Sequence, residues 1–498
     1  FKRSFATLHK TSNYGSSMAV AKDGSVVVVG AATDNLYCFE NSIEGDPTKC
    51  YPEESESESS IVIHGTAYVY HPATKKTWII KPKQDATYSA EFGTSVAVSG
   101  DGLLLAVGAI GDQRAGANDA CNGIVAAAAK STKCTMNLSN QVMGAVHIYA
   151  YHNSAWKLIY YVHTDNANTP NMNNYKFGTK LMWSEDGTTL VVGMPSDKNT
   201  PTIGSYNQPT TIGTESTAPG AVYVYKYDSA DGSLTFDYYY QQVGATALGK
   251  SMHAISDGVV VNADNYVLMV KLKGSNSHGV TQLTSLPTLP AGVSISEASL
   301  QGNQLAIGLP KLSSDCKKIT VFNADKSAED CLNNNDPIKE SGGVMVFEVD
   351  SNNNEVTAKA LVRYETSIAS AHMGRSLSVS TDQKTMFVGV SDHNACVNIH
   401  GSRQDCGQAN SNLNYGAIGH FTFDGSTWAE QSYIKASKNV PNAHMGASGS
   451  MHQTDTDLFF LLQHSSSCQG IQDGACQEEQ GYRGVVLQYQ YNDNADSS

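Results

Sequence analysis

Six segments of this 498-residue chain open in the same way, and that recurrence constrains the fold more than any other feature. Tyr14-Gly15-Ser16-Ser17, Phe92-Gly93-Thr94-Ser95 and Phe177-Gly178-Thr179-Lys180 begin three of them. Leu248-Gly249-Lys250-Ser251, Met373-Gly374-Arg375-Ser376 and Met445-Gly446-Ala447-Ser448 begin the others. Eight residues after the opening glycine stands an aspartate (Asp23, Asp101, Asp186, Asp257, Asp382), followed directly by glycine in the first four. Fifteen residues after it comes a second glycine, at Gly30, Gly108, Gly193 and Gly389. A fixed internal period of this kind belongs to repeat architectures.

Each segment reads as a β-hairpin. Phe92 to Ser99 and Leu103 to Val107 are strand-like, and Asp101-Gly102 supplies the positive-φ turn between them. The second run is almost wholly apolar, as in Val26-Val27-Val28-Val29, which predicts a strand buried on both faces. A third run begins at a glycine with an aromatic five residues later: Gly65/Tyr70, Gly144/Tyr149, Gly220/Tyr225, Gly342/Phe347, Gly416/Phe421 and Gly484/Tyr489. A fourth follows a short polar turn and has a bulky start at Trp78, Trp156 and Trp428. Four antiparallel strands per repeat make a propeller blade.

The count predicts an all-β, seven-bladed β-propeller occupying 1–498 as one domain, with blades near 14–80, 92–160, 177–238, 248–273, 293–363, 373–435 and 445–491. Blade four is shortened, and blade five lacks the opening aromatic-glycine. The last blade shows no fourth strand of its own, whereas Phe1 to Leu8 reads as an orphan one. The N-terminal strand, within 1–10, is therefore expected to complete the last blade, in its own molecule or in a neighbour.

Aromatic-Gly, Asp-Gly, a second-strand Gly and then Gly-x-Val-Tyr-Val-Tyr together resemble the FG-GAP repeat. That repeat builds the seven-bladed propeller heading integrin α subunits. The local matches are Phe92-Gly93 with Gly108-Ala109-Ile110, and Phe177-Gly178 with Gly193-Met194-Pro195. The resemblance implies the fold, and calcium as a cofactor of Asp-rich loops between the first two strands. Here that connection is a tight turn such as Ser99-Gly100-Asp101-Gly102, with too few oxygens for calcium, so no cofactor is expected. With the propeller filling the chain, nothing is left to match an integrin's legs, and integrin function is not carried over.

The ten cysteines fall into five local couples: Cys38/Cys50, Cys121/Cys134, Cys316/Cys331, Cys396/Cys406 and Cys468/Cys476. An even number without C-x-x-C reads as disulfides, and local pairing is favoured because every couple lies between the second and third strands of a blade. Such bonds place the protein outside the cell or on its surface. Phe1 to Phe5 has no apolar core, so a signal peptide is expected to have been removed already. Asn137-Leu138-Ser139 is a glycosylation sequon, with Asn137 the acceptor. A net charge of −14 without a basic cluster argues against nucleic acid, and no apolar run reaches the ~20 residues of a membrane span.

No nucleophile, metalloprotease or phosphate-loop motif stands in a supporting context. The serine of the opening motif recurs at Ser17, Ser95, Ser251, Ser376 and Ser448, which marks it as structural. Asp34, Asp112, Asp197 and Asp392 recur just after the second strand, either as turn caps or as a ring of carboxylates. His253, His372, His444 and His452 lie near innermost strands, where they line the channel mouth or form an acid–base or metal cluster. The run Glu53 to Ser60 is an acidic loop tip.

The expectation is thus a non-catalytic extracellular structural or adhesive propeller, a self-assembling subunit of a filament or surface appendage. Its partners would be copies of itself, other extracellular proteins or glycans. A secreted propeller that binds carbohydrate or protein is the alternative, and a secreted hydrolase or lyase comes third.

Overall fold

Alternating apolar runs and tight turns give sheet throughout the computed structural model. It describes residues 2–3, 14–34, 36–38, 42–44, 50–52, 64–81, 89–113, 123–127, 142–164, 176–198, 218–242, 245–255, 258–271, 279–283, 286–314, 316, 319–322, 327–332, 340–350, 355–363, 371–392, 416–435, 444–447, 451–454, 457–465 and 483–490. Among these are seven sheets of four or five strands, one two-stranded ribbon and one short helix, Ala328–Leu332. The fold is the all-β, blade-built β-propeller that the repeat predicts.

Blade two shows how the sequence makes a blade. Its strands Phe92–Val98, Leu104–Ala109, Ala145–His152 and Ala155–Val162 pair antiparallel in chain order. At the first turn Asp101 Oδ1 accepts from Ser99 Oγ (2.5 Å) and from the Leu103 N–H (3.0 Å). Ser99 Oγ in turn accepts from the Leu104 N–H at 2.9 Å. Ser184 with Asp186 and Ser380 with Asp382 repeat the arrangement in blades three and six. The turn aspartates are therefore Asx-turn acceptors. The second strands are buried on both faces, with Val26 to Val29 at most 3% exposed.

The chain divides into two compact units. The first comprises Phe1–Ala6, Asp264–Lys271 and Gly279–Ser498, and the second comprises Thr7–Ala263 and Leu272–His278. The second unit holds blades one to three and the hairpin Ser251–Ile255/Gly258–Asn262. The first unit holds the hairpin Val267–Lys271/Gly279–Gln282 and blades five to seven. The strand Gly279–Gln282 lies beyond the expected end of blade four near Lys273. In the last blade Lys2 stands opposite Leu487 and Arg3 opposite Val486, so the N-terminal strand pairs where the orphan run predicts.

Glycines interlock neighbouring blades. A Cβ on Gly30 would lie 1.9 Å from the Gly93 carbonyl oxygen, and Ser17 Oγ donates to that same oxygen at 2.9 Å. Gly93 sits at φ +92° in a tight turn, and a Cβ there would stand 2.3 Å from the Thr66 carbonyl oxygen. Only glycine combines the left-handed conformation with so close a backbone approach. Gly65 then forms a parallel bridge to Phe92, whose ring is fully buried in the core shared by blades one and two.

The insertions between second and third strands add structure that the period does not encode. Ser42–Glu44, Ile124–Ala126 and Ile319–Val321 each pair with a fourth strand, extending blades one, two and five to five strands. Cys38 stands opposite Cys50 in the ribbon Leu36–Cys38/Cys50–Pro52. Cys316 and Cys331 form a disulfide with Cα atoms 5.4 Å apart. Cys121, Cys134, Cys396, Cys406, Cys468, Cys476 and Asn137 lie outside the described residues. The disulfide belongs to an oxidising compartment, extracellular or periplasmic. No helix among the described residues is long and apolar enough to cross a membrane.

Three outcomes are expected by denaturant unfolding. Gly93→Ala should cost about 3 kcal/mol or more, combining left-handed strain with a backbone clash. Gly232→Ala, also at positive φ but with nothing nearer than 3.9 Å, should cost only about 1 kcal/mol. Equal losses at the two sites would remove the interlock as the cause. Replacing Cys316 and Cys331 together by serine should cost about 3 kcal/mol, the chain-entropy value for a loop of this length.

Candidate functional site

The four recurrent aspartates divide into three that the fold consumes and one that it presents. Asp34 is buried and accepts from the Tyr68 hydroxyl at 2.5 Å. Asp197 is buried and accepts from Tyr239 (3.0 Å) and Tyr223 (3.3 Å). Asp112 is buried 3.8 Å from His147. The backbone carbonyls of Asp34, Asp112 and Asp197 also take the N–H groups of Gly65, Gly144 and Gly220, tying each second strand to the third. Burial first, and then the adjacent carboxylate, raise the Tyr68 and Tyr223 hydroxyls well above their usual range, so both act as neutral donors. These three are caps rather than a carboxylate ring.

Asp392 follows blade six's second strand, Thr385–Val390, and has different neighbours. Its two oxygens accept from Nδ1 of His372 and, at 3.0 Å, from Nδ1 of His444, and Ser391 Oγ donates at 2.9 Å. The other ring nitrogen of His372 lies 3.2 Å from Glu340 Oε2. Burial alone would raise the Asp392 pKa, but the bonds from His372, His444 and Ser391 outweigh it and hold the carboxyl well below the usual range. The bond to Asp392 raises the His372 pKa, aided by Glu340 and opposed by burial and by Arg375. An imidazole donating through both nitrogens is an imidazolium, which is why two carboxylates accommodate it.

The opening corners bring these histidines together. His372 and His444 each stand two residues before an opening glycine, at φ +54° and +46°. Glu91, Lys176 and Ala247 hold the same place in the second unit, at φ +50°, +55° and +57°. Five corners share a conformation unfavourable to residues other than glycine, while the side chain changes from Glu to Lys, Ala and His. The backbone is fixed and the displayed group is variable.

Glu340 itself has φ +54° and precedes Ser341, which Arg363 holds. Arg363 is buried, and its guanidinium also donates to the carbonyls of Gly342, Ser314 and Cys316. The disulfide-bonded loop of blade five is thus continuous with the histidine cluster. Sequence reading missed Glu340 and Arg363. Arg363 had a signal, because Lys81, His163, Gln241 and Lys435 also follow fourth strands. Glu340 had none.

Of the other candidate histidines, His253 is held neutral by burial, with its pKa lowered to about 4. His452 lies on Met451–Gln453 and is not among the side chains bonded to Asp392. Among the described residues no group of three or more His, Cys, Asp or Glu is arranged to hold a metal ion. Ser17, Ser95 and Ser376 each donate to the carbonyl of the next blade's opening glycine, which accounts for their recurrence.

Residues 82–122 match the FG-GAP repeat, so the repeat read from the sequence is present in blade two. No curated protein matches the chain. Among solved structures it is similar to a periplasmic gluconolactonase of Pseudomonas aeruginosa, with 12% identity, 85% of each chain covered and a TM-score of 0.43. It is also similar to the Dos1 propeller (12%, 98% of this chain and 95% of that one, 0.41). A Lactobacillus plantarum protein matches at 10%, over 87% of this chain and 97% of its own, with a TM-score of 0.45. The expectation that this chain is not an enzyme is corrected here. A gluconolactonase stands among the propellers it is similar to, and missing sequence motifs do not exclude catalysis from groups that converge only in the fold.

The His372–Asp392 bond fixes a pH dependence. The raised His372 pKa contributes stability that is complete below about pH 6.5, the free imidazole value, and is lost as pH rises through the raised value. The lowered Asp392 pKa contributes stability present above about pH 4 and lost only in stronger acid. The cluster should therefore be strongest between about pH 4 and 6.5. NMR titration should show His372 titrating above 6.5, and His372→Gln should flatten the alkaline loss of stability. A His372 that titrates at or below 6.5 would overturn the assignment.

Proposed function

We propose that this chain is a secreted, cell-surface-associated adhesive propeller that meets a protein partner, another copy of itself included, through the opening corners of its blades. The observation that carries the proposal is the corner series, in which one strained backbone conformation presents Glu91, Lys176, Ala247, His372 and His444 in turn. Backbone strain clusters at functional sites, and here it lies in the turn that displays the varying side chain. His372, His444, Asp392 and Glu340 form the densest charged cluster of that series, beside a loop stapled by Cys316–Cys331 and anchored by Arg363. Rigid loops on a sheet scaffold lower the entropy lost on binding.

The compartment of the proposal follows from the disulfide, and its partner class from charge. A net charge of −14 disfavours nucleic acid and suits proteins with basic or mixed surfaces. Self-association is the form of the proposal that one preparation can test. Light scattering and negative-stain imaging of the oxidised protein at pH 6 should show ordered assemblies. His372→Ala with His444→Ala should reduce them to ~53 kDa particles while leaving the circular dichroism unchanged. Assemblies that survive the double variant, or a monomer at every concentration that captures no extracellular protein, would overturn the reading.

A further inference from the structure

Two seams between blades are filled differently at the end opposite the opening corners. Where blade one meets blade two, His71 lies six residues after Gly65. Its ring packs with centroids 4.5 Å from Trp78, 4.9 Å from Tyr151 and 6.2 Å from Trp156. Tyr151 stands opposite Trp156 in blade two. Where blade five meets blade six, Phe423 stands opposite Trp428 at the matching register, and the position matching His71 is Glu348, six residues after Gly342. The Glu348 carboxylate is held by Lys359 Nζ (2.6 Å) and Asn303 Nδ2 (3.2 Å). No ring stands at the position of His71 in this seam, and a cleft of about 350 Å³ remains.

We propose that this cleft binds a neutral pyranose, as a monosaccharide or the terminal residue of a glycan. Its volume lies within the range of small-ligand sites, about 300–1,000 Å³. Phe322, Phe423 and Trp428 offer the flat apolar surface that the C–H face of a sugar ring covers. Gln304, Gln383 and Thr427 line it with groups able to bond hydroxyls at the ring edge. Gln304 Oε1 is buried in the structure with no hydrogen-bond partner. A purely apolar ligand would leave that oxygen unsatisfied, at a cost, whereas a turn of the Gln304 amide towards the cleft would let a sugar hydroxyl donate to it. Glu348 and Lys359 neutralise each other, so the cleft offers no net charge to select an anion or a cation.

The test uses the full oxidised chain and methyl glycosides of glucose, galactose, mannose, N-acetylglucosamine and xylose. Saturation-transfer NMR and tryptophan fluorescence should show at least one of them binding saturably. Glu348→His places in this seam the ring that closes the other, and should weaken binding about tenfold or more. The ion pair it removes is half exposed and contributes little to stability. Gln304→Leu removes the acceptor while keeping the volume and should weaken binding about tenfold, the value of one satisfied hydrogen bond. It decides the matter alone if Glu348→His does not fold. His372→Ala with His444→Ala should leave sugar binding unchanged, which separates this site from the corner surface. If none of the five glycosides binds, or if Gln304→Leu binds as the wild type does, the proposal fails.

Discussion

Five seams among the described residues rest on one contact, the opening-turn carbonyl of one blade seated against a glycine in the second strand of the blade before it. Gly30 receives Gly93, Gly108 receives Gly178, Gly193 receives Gly249, Gly308 receives Gly374 and Gly389 receives Gly446. In each pair a Cβ on the receiving glycine would come within 1.9 to 2.3 Å of the carbonyl oxygen. Such a distance leaves no room for any side chain. The fifteen-residue spacing in the sequence is therefore the distance along one hairpin between the glycine that inserts into the preceding blade and the glycine that receives the next. Ser17, Ser95 and Ser376 bond the same carbonyl in three of these pairs, and a buried phenylalanine, leucine or methionine precedes each inserted glycine. Blades so locked can carry loops of almost any length at their ends.

This accounts for what could be read from the sequence. The interlock is local and repeated, so it leaves a period. Strand order, turn chemistry and the double burial of the second strand recur with the same period, and the pairing of Lys2–Arg3 with the last strand answers the fourth strand that the last period lacks. What stayed illegible lies in segments without a period. The fifth strands Ser42–Glu44, Ile124–Ala126 and Ile319–Val321 are three residues each and are held by pairing to a fourth strand rather than by their own pattern. Gly279–Gln282 was missed for the same reason.

The site divides along the same line. That Asp34, Asp112 and Asp197 are caps could be inferred from their recurrence, because a residue in most blades answers a need of most blades. Asp392 occupies the same place but lacks a tyrosine donor. Blade six has Gly419 where blades one and three carry Tyr68 and Tyr223. The carboxylate so released turns to His372 and His444, from two successive corners. Sequence reading named both histidines and allowed them to cluster, but it could not supply Asp392 as their shared acceptor, since that depends on a tyrosine absent from a third position. His253, in a comparable stretch, is instead half-buried and held neutral by desolvation.

Departures from the repeat therefore carry more functional information than the repeat itself. A propeller meets its structural requirements in the same way at each seam, and a seam that meets them differently has been released from them or put to another use. Gly419, where blades one and three have tyrosine, frees a carboxylate at one end of blade six, and Glu348, where blade one has histidine, leaves a cleft at the other end of the seam between blades five and six. Both changes lie in strands whose backbone pairing is otherwise regular, with the same register shift at Phe347 and Phe421 that Tyr149 and Tyr225 show. Neither alteration can be ascribed to a distorted blade. The scaffold is intact at both ends, and only the side chains it presents have changed.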